Sequence, residues 1–200
     1  MNKIELLSPV GDFECLKAAV QNGADAVYLG ASSFSARASA ANFNLDELET
    51  AIDYAHLRGV KVYLALNTLI KNDEFDDAFV LAKRAYKLGI DALIVQDYGL
   101  CSTLLKTLPD LPIHASTQMS IHNLEGAKEV EDLGFKRVVL SRECSLSELE
   151  YIKSNSNIEL EVFIHGALCV SYSGQCLLSS MIGARSRKPW KMCTKLPSSL

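Results

Sequence analysis

Short apolar runs rich in β-branched residues alternate along this chain with stretches whose apolar positions recur every three or four residues. The runs "IELLSPVG", "ADAVYLG", "VKVYLALNT", "DALIVQD", "IHASTQMS", "RVVLSREC" and "ELEVFIHG" read as strands. The intervening segments read as helices. "DFECLKAAVQNG" has Asp12 as its N-cap and Gly23 as its stop, and "LDELETAIDYAHLRG" closes at Gly59. "DEFDDAFVLAKRAYKLG" carries Phe75, Phe79, Ala82 and Tyr86 on one face. Further helices follow over Leu100 to Leu105, "LEGAKEVEDLG" and "SLSELEYIKS".

Strands that alternate with helices in this way pair in parallel through right-handed crossovers. Two architectures satisfy that: a (β/α)8 barrel and an open doubly wound sheet. The regular repeat, and the lack of a glycine-rich fingerprint after the first strand, favour an α/β fold of the TIM-barrel type. Seven strands are present, and no eighth is convincing after Gly166. Either architecture collects its chemistry at the carboxyl ends of the strands. Those ends carry Ser8-Pro9, Tyr28 and Gly30, Asn67-Thr68, Gln96-Asp97, His114 to Gln118, Arg142-Glu143 and His165-Gly166.

Composition narrows the classes. The 200 residues are 48% hydrophobic and 22% charged, as in an ordinary globular domain. No apolar run reaches the roughly 18 residues of a membrane span, and the N-terminal apolar stretch is too short for a secretory signal. A cytoplasmic protein is expected. The net charge of -4 argues against a generally basic, nucleic-acid-coating surface and leaves room for a local basic cleft. Six cysteines in such a chain are core thiols, metal ligands or catalytic groups rather than a disulfide framework.

Cys169 and Cys176 follow the seventh strand in one loop with Ser171, Tyr172, Ser173 and Gly174, a placement that presents both sulfurs to one centre. Thiolates suit iron–sulfur clusters and zinc. Cys15, Cys101 and Cys144 read as packing residues. His165 opens the cysteine loop and is the stronger candidate proton carrier; Glu161, on the same strand, is its expected orienting partner. His114 reads equally as a catalytic or a core histidine, and His56 and His122 as surface residues. Arg37, among small residues in "FSARASAANF", fits an anion-reading loop. Asn67, Gln118 and Arg142 stand at the mouth as substrate contacts, although Arg142 and Glu143 also read as an ion pair. No nucleophile elbow, HExxH helix, Walker loop or RNP motif is present.

The strings "LLSPVG", "GADAVYLG", "FSARASAANF", "VYLALNTL", "HASTQMS", "VVLSRE" and above all "EVFIHGALCVSYSGQCLLSS" resemble the collagenase-like peptidase family, peptidase family U32, from about residue 4 to 186. The resemblance implies a barrel-like domain and a cysteine-ligated 4Fe-4S cluster, with Cys169 and Cys176 as its first two ligands. It also implies either a peptidase or a hydroxylation protein, acting on tRNA or rRNA with prephenate as hydroxyl source or in making ubiquinone without oxygen. A dicarboxylate of that kind gives Arg37 and Arg142 a purpose. Formation of 5-hydroxyuridine in tRNA is the expected function; a peptidase and an inactive truncated fragment are the alternatives.

The family's next element resembles GGRSGNRGxCAQPCR, where this chain reads "GARSRKPWKMCTKLPSSL". With one base dropped from a synonymous coding, residues 188–200 read NRGKCAQSCRLP. The expected organisation is therefore a barrel-like domain over 1–186 and a frame-shifted tail over 187–200, with Cys193 a by-product of the shift.

Overall fold

The computed structural model describes residues 4–31, 34–35, 43–166 and 169–176. It contains seven strands: β1 (Leu7–Val10), β2 (Ala26–Gly30), β3 (Lys61–Leu66), β4 (Ala92–Val95), β5 (Ile113–Ala115), β6 (Arg137–Val139) and β7 (Glu159–Glu161). Between them run α1 (Phe13–Gln21), α2 (Leu45–His56), α3 (Phe75–Lys87), α4 (Tyr98–Thr107), α5 (Leu124–Asp132) and α6 (Leu146–Asn155). The strands form one sheet in the order β1-β2-β3-β4-β5-β6-β7, and every neighbouring pair is parallel. A doubly wound sheet reverses its strand order at a switch point. This order never reverses, so the sheet curls progressively as a TIM-type barrel wall does.

All the described α-helices except α3 begin where a short polar side chain takes over a free backbone amide. Asp12, Asn44, Asp97, Asn123 and Ser145 cap α1, α2, α4, α5 and α6. In α2 and α6 the cap is reciprocal, with Glu47 and Glu148 returning a bond to the cap residue.

Strand alternation divides the side chains into two layers. Val27, Leu29, Val62, Leu64, Leu66, Leu93, Val95, Ile113 and Val138 face the helices and form the main core with Leu16, Leu48, Ile52, Leu100, Leu104 and Ile152. The opposite positions face the concave side, where Ala26, Tyr63, Ala92 and Ile94 form a second cluster with Leu7 and Tyr28. Burial on both faces is why the strands read as near-continuous apolar runs.

The concave side is closed at its N-terminal end by charge. The Arg137 side chain is only 11% exposed; it donates to Glu5 at 2.7 Å, to Glu159 at 2.7 Å and to Glu161 at 3.4 Å. Glu5 also accepts from Lys61 at 2.9 Å and from the Tyr63 hydroxyl at 2.8 Å. Burial alone pushes the Glu5 carboxyl up, but the bonds from Lys61, Arg137 and Tyr63 outweigh it and hold it down at about 2. Since Glu5 precedes β1 and Arg137 opens β6, their contact ties the two sides of the curled sheet across its interior.

β6 and β7 are shorter than their sequence runs. "RVVLSREC" keeps the strand only to Val139, and "ELEVFIHG" only to Glu161. Among the described residues, β1 and β7 are the sheet's two edges. β7, paired only with β6 among the described residues, loses its ladder as soon as that pairing stops. Exposed apolar residues flank both edges, with Ile4 at 89% and Ile164 at 82% exposure. No helix among the described residues is long and apolar enough to cross a membrane.

Two outcomes follow from the interior. Arg137→Ala leaves the part-buried Glu161 without its cation and Glu5 with Lys61 and Tyr63 alone, and its cost in urea unfolding is expected to be about 3 kcal/mol, the lower end for breaking a buried pair. The double change Arg137→Met with Glu5→Gln recovers part of that loss. The second outcome concerns His114, whose ring meets Tyr63 edge-on at 4.9 Å between centroids. Burial first, and then the Arg137 guanidinium, pull its pKa down from 6.5 to about 3. Below pH 6.5 the unfolded chain therefore binds a proton that the folded chain refuses, and stability is lost as pH falls. Between pH 6.5 and 5 this amounts to about 2 kcal/mol. The unfolding free energy of the wild type is expected to fall by that amount relative to His114→Gln over the same window.

Candidate functional site

The motif "HASTQMS" forms the scaffold of the mouth. His114 points to the concave side. Two residues on, Ser116 caps a single 3-10 turn, Thr117–Met119, its hydroxyl accepting from the Gln118 amide. The Gln118 carbonyl accepts from Gln96 Nε2 at 3.2 Å, which joins the ends of β4 and β5. Ser120 then adopts a left-handed conformation, φ +59°, and ends the turn.

This turn receives the cysteine loop. Ser120 Oγ donates to the Ser173 carbonyl at 2.8 Å and accepts from Gln175 Nε2 at 3.0 Å. From the end of β6, Arg142 donates through Nη1 to the Cys169 carbonyl at 3.3 Å and through Nη2 to the Ser171 carbonyl at 3.0 Å. Its backbone amide donates to Ser173 Oγ at 3.3 Å, and Glu143 Oε1 accepts from the Ser173 amide at 3.0 Å. Both ends of the loop that carries Cys169 and Cys176 are thus fastened over the C-terminal ends of β5 and β6. Both thiols are free; Cys169 is exposed and Cys176 half-buried.

The other candidates fall in different places. Glu161 is held by Arg137 rather than by His165, and its carboxyl is pushed up by burial against that pull. The expected carboxylate–imidazole pair with His165 is not formed, because Glu161 faces the barrel interior at the end of β7 while His165 lies exposed beyond it. The depressed pKa of His114 keeps its imidazole neutral at physiological pH, so it cannot carry charge there. Asn67 and Gln118 are half-buried beyond β3 and β5. Arg142 spends its guanidinium on loop carbonyls and stands 4.0 Å from Glu143, which makes it a positioning residue for the loop. Arg37 and Cys193 lie outside the described residues.

Cys101 is buried as expected, but Cys15 is exposed. It sits on the outer side of α1, whose buried contact is Leu16. Cys144 is half-buried, with its thiol donating to the His122 carbonyl at 3.5 Å and raised in pKa by burial and two glutamates. His56 pairs with Asp91 at 2.8 Å. Among the described residues no group of three or more His, Cys, Asp or Glu side chains is placed to hold a metal ion. The sequence reading missed Glu5, Tyr63 and Arg137, whose inward positions follow from strand parity. It also missed the latch residues Ser120 and Ser173, for which no local signal exists.

Gly174 shows how closely the loop is seated. It has φ +76°, and a Cβ there would lie 2.5 Å from both the Gln118 carbonyl oxygen and Ser120 Oγ. Gly174→Ala is expected to unseat the loop while leaving the sheet folded. In hydrogen exchange the Ser173 amide loses protection by about tenfold or more, and the β3 amides keep theirs. Unchanged protection at Ser173 refutes the latch.

Comparison with known proteins agrees with this geometry. The chain is 41% identical over 201 residues to the 23S rRNA 5-hydroxycytidine C2501 synthase of Escherichia coli (strain K12), an alignment covering 100% of this chain and 30% of that protein. It is 42% identical over 183 residues to tRNA hydroxylation protein P of Helicobacter pylori (strain ATCC 700392 / 26695), covering 90% of this chain and 43% of that protein. The chain therefore spans less than half the length of these relatives. The solved structure of the U32 peptidase Mk0906 superposes with a TM-score of 0.68 at 19% identity, over 80% of this chain and 68% of that one; at that identity the likeness speaks for the fold. The model of peptidase family U32 matches residues 11–195, and the chain belongs to that family.

Proposed function

We propose that this chain is the barrel portion of a cytoplasmic RNA-modifying protein that hydroxylates a pyrimidine of tRNA at ring carbon 5, with prephenate as hydroxyl source. Cys169 and Cys176 supply two thiolates to a 4Fe-4S cluster. The observation that carries the reading is the latched loop. Two free thiols are fixed at the mouth of a TIM-type barrel, where such folds do their chemistry, in a chain similar to two proteins named for RNA hydroxylation.

The donors fit the group in kind, since thiolate is the ligand such clusters take. The described residues provide two of the four that a cluster of this type needs. When bound, the cluster supplies electron-transfer or Lewis-acid chemistry that no side chain here provides. The chain's own part is positional. Arg142, Glu143 and Ser120 fix where the two sulfurs stand, and the neutral His114 below them meets substrate without adding charge.

The test is anaerobic purification with iron and sulfide analysis, on this chain and on a version restored by deleting one base near codon 188. Little cluster is expected in the first. The second is expected to hold about four irons per chain and to restore 5-hydroxyuridine to tRNA, read by nucleoside mass spectrometry in cells lacking their own hydroxylation protein. Cys169→Ala in the restored version removes both signals. Equal iron in the two versions overturns the two-ligand account, and a restored protein that is iron-free but cleaves peptides overturns the hydroxylation reading.

A further inference from the structure

The β1–α1 turn and the start of α2 border a cavity of about 360 Å³. That is a size at which pockets hold small molecules. Gly11, Asp12 and Phe13 line it from the turn and the first residue of α1; Asp46, Glu47 and Thr50 line it from the first turns of α2. Phe43, just ahead of α2, lines it as well and is only 5% exposed, so the deep part of the cavity is aromatic. The Phe43 backbone is anchored to the end of β2, its amide donating to the Gly30 carbonyl at 3.2 Å.

The lining carries charge of one sign. Asp12, Asp46 and Glu47 are carboxylates, and among the described residues no lysine, arginine or histidine lines the cavity. Two of the three are fixed before any ligand arrives. Asp12 Oδ1 accepts from the Cys15 amide at 2.7 Å, and Glu47 Oε2 from the Asn44 amide at 2.9 Å. The Cys15 and Glu47 amides are in turn spent on Asp12 and Asn44, which weakens the pull of the two helix starts on anions. The bond from the Cys15 amide also lowers the Asp12 pKa and keeps that carboxyl ionised at neutral pH. The Asp46 carboxylate is exposed and has no hydrogen bond or ion pair among the described residues. Thr50 Oγ1 donates to the Asp46 carbonyl at 3.0 Å and keeps its lone pairs for a donor.

Carboxylates on an open surface are solvated and bind little. These share a cavity with two aromatic rings, and the face of such a ring attracts a cation. Phe13 displays that preference within the chain, with Lys17 Nζ 5.2 Å from its ring centroid. Carboxylates from two elements, with aromatic surface in the same cavity, call for a ligand positive at both ends and apolar in the middle. We propose that the cavity binds a linear polyamine, its methylene chain against Phe13 and Phe43, one ammonium on Asp12 and another on Asp46 and Glu47. A bare metal cation leaves the rings unused, and a monoamine leaves one group of carboxylates unpaired. The hydroxylation reading uses none of these residues, so either can fail without the other.

The experiment follows the backbone amide signals of the 200-residue chain while spermidine, n-butylamine and inorganic phosphate are titrated in separately. Spermidine is expected to shift the Gly11 and Thr50 amides. Its singly charged counterpart n-butylamine binds at least about fivefold more weakly, and phosphate leaves both amides in place. Asp46→Asn removes a carboxylate that caps nothing, so the fold is kept and spermidine binding weakens by about fivefold. Glu125 holds the same second position in α5 that Asp46 holds in α2, and it does not line the cavity. Glu125→Gln therefore leaves binding unchanged, which separates the site from the general attraction of a chain with net charge -4. The proposal is overturned if spermidine leaves Gly11 and Thr50 unmoved, if phosphate shifts them, or if n-butylamine binds as tightly as spermidine. It is equally overturned if Asp46→Asn binds spermidine as the wild type does, or if Glu125→Gln weakens binding as much as Asp46→Asn.

Discussion

The contact between Arg137 and Glu5 sets the shape of everything above it. A parallel sheet has no intrinsic reason to stop curling at a given radius. Here the residue that precedes β1 meets the first residue of β6 at 2.7 Å across the interior, so the curl is fixed by one ion pair and the groups that support it. Buried charge of this kind gains little net stability over a packed apolar core, yet removing one partner is costly. Its value lies in geometry. With Tyr63 and Lys61 also bound to Glu5, the lower end of the concave side is filled with mutually satisfied polar groups. Toward the upper end the register row runs Gly30, Ala65, Ile94 and His114.

The cysteine loop depends on that geometry at one remove. It contributes little regular structure of its own, and its position comes from side chains that project from the ends of β5 and β6. Ser120 acts through a left-handed backbone and Gly174 through the lack of a side chain, so each fits only because the other is where it is. Such an arrangement seats the backbone of the loop that carries the two thiols over the ends of β5 and β6. Arg142 illustrates the logic. A guanidinium at a strand end reads as a substrate clamp, but its donors are used to seat the cysteine loop.

The order of strands and helices was legible because both periods are clean and most of the helices carry a capping side chain at their start. Strand parity was read for Glu161 and for His114 but not for Arg137, which the sequence reading passed over. What parity leaves open is which face is concave, and which far-off residue completes each pair. Tyr63, the neighbour that buries His114, and Glu5, the partner of Arg137, are distant in sequence and close only after the sheet curls. The same limit explains Glu161: its spacing from His165 matched a carboxylate–imidazole pair, while the fold supplies Arg137 on the next strand. β6 and β7 read longer than they are because apolar residues continue past the point where pairing ends. Cys15 read as core because it neighbours Leu16, although the two point in different directions around α1.

The distribution of charge bears on how a chain with net charge -4 can take part in RNA chemistry at all. Affinity for nucleic acid comes mainly from cations that meet phosphates. At the mouth Arg142 is already bound to carbonyls, at the opposite end of the concave side Arg137 is bound to carboxylates, and burial holds the His114 pKa down. On the RNA reading, contact with phosphates at this mouth therefore relies on cations other than these two.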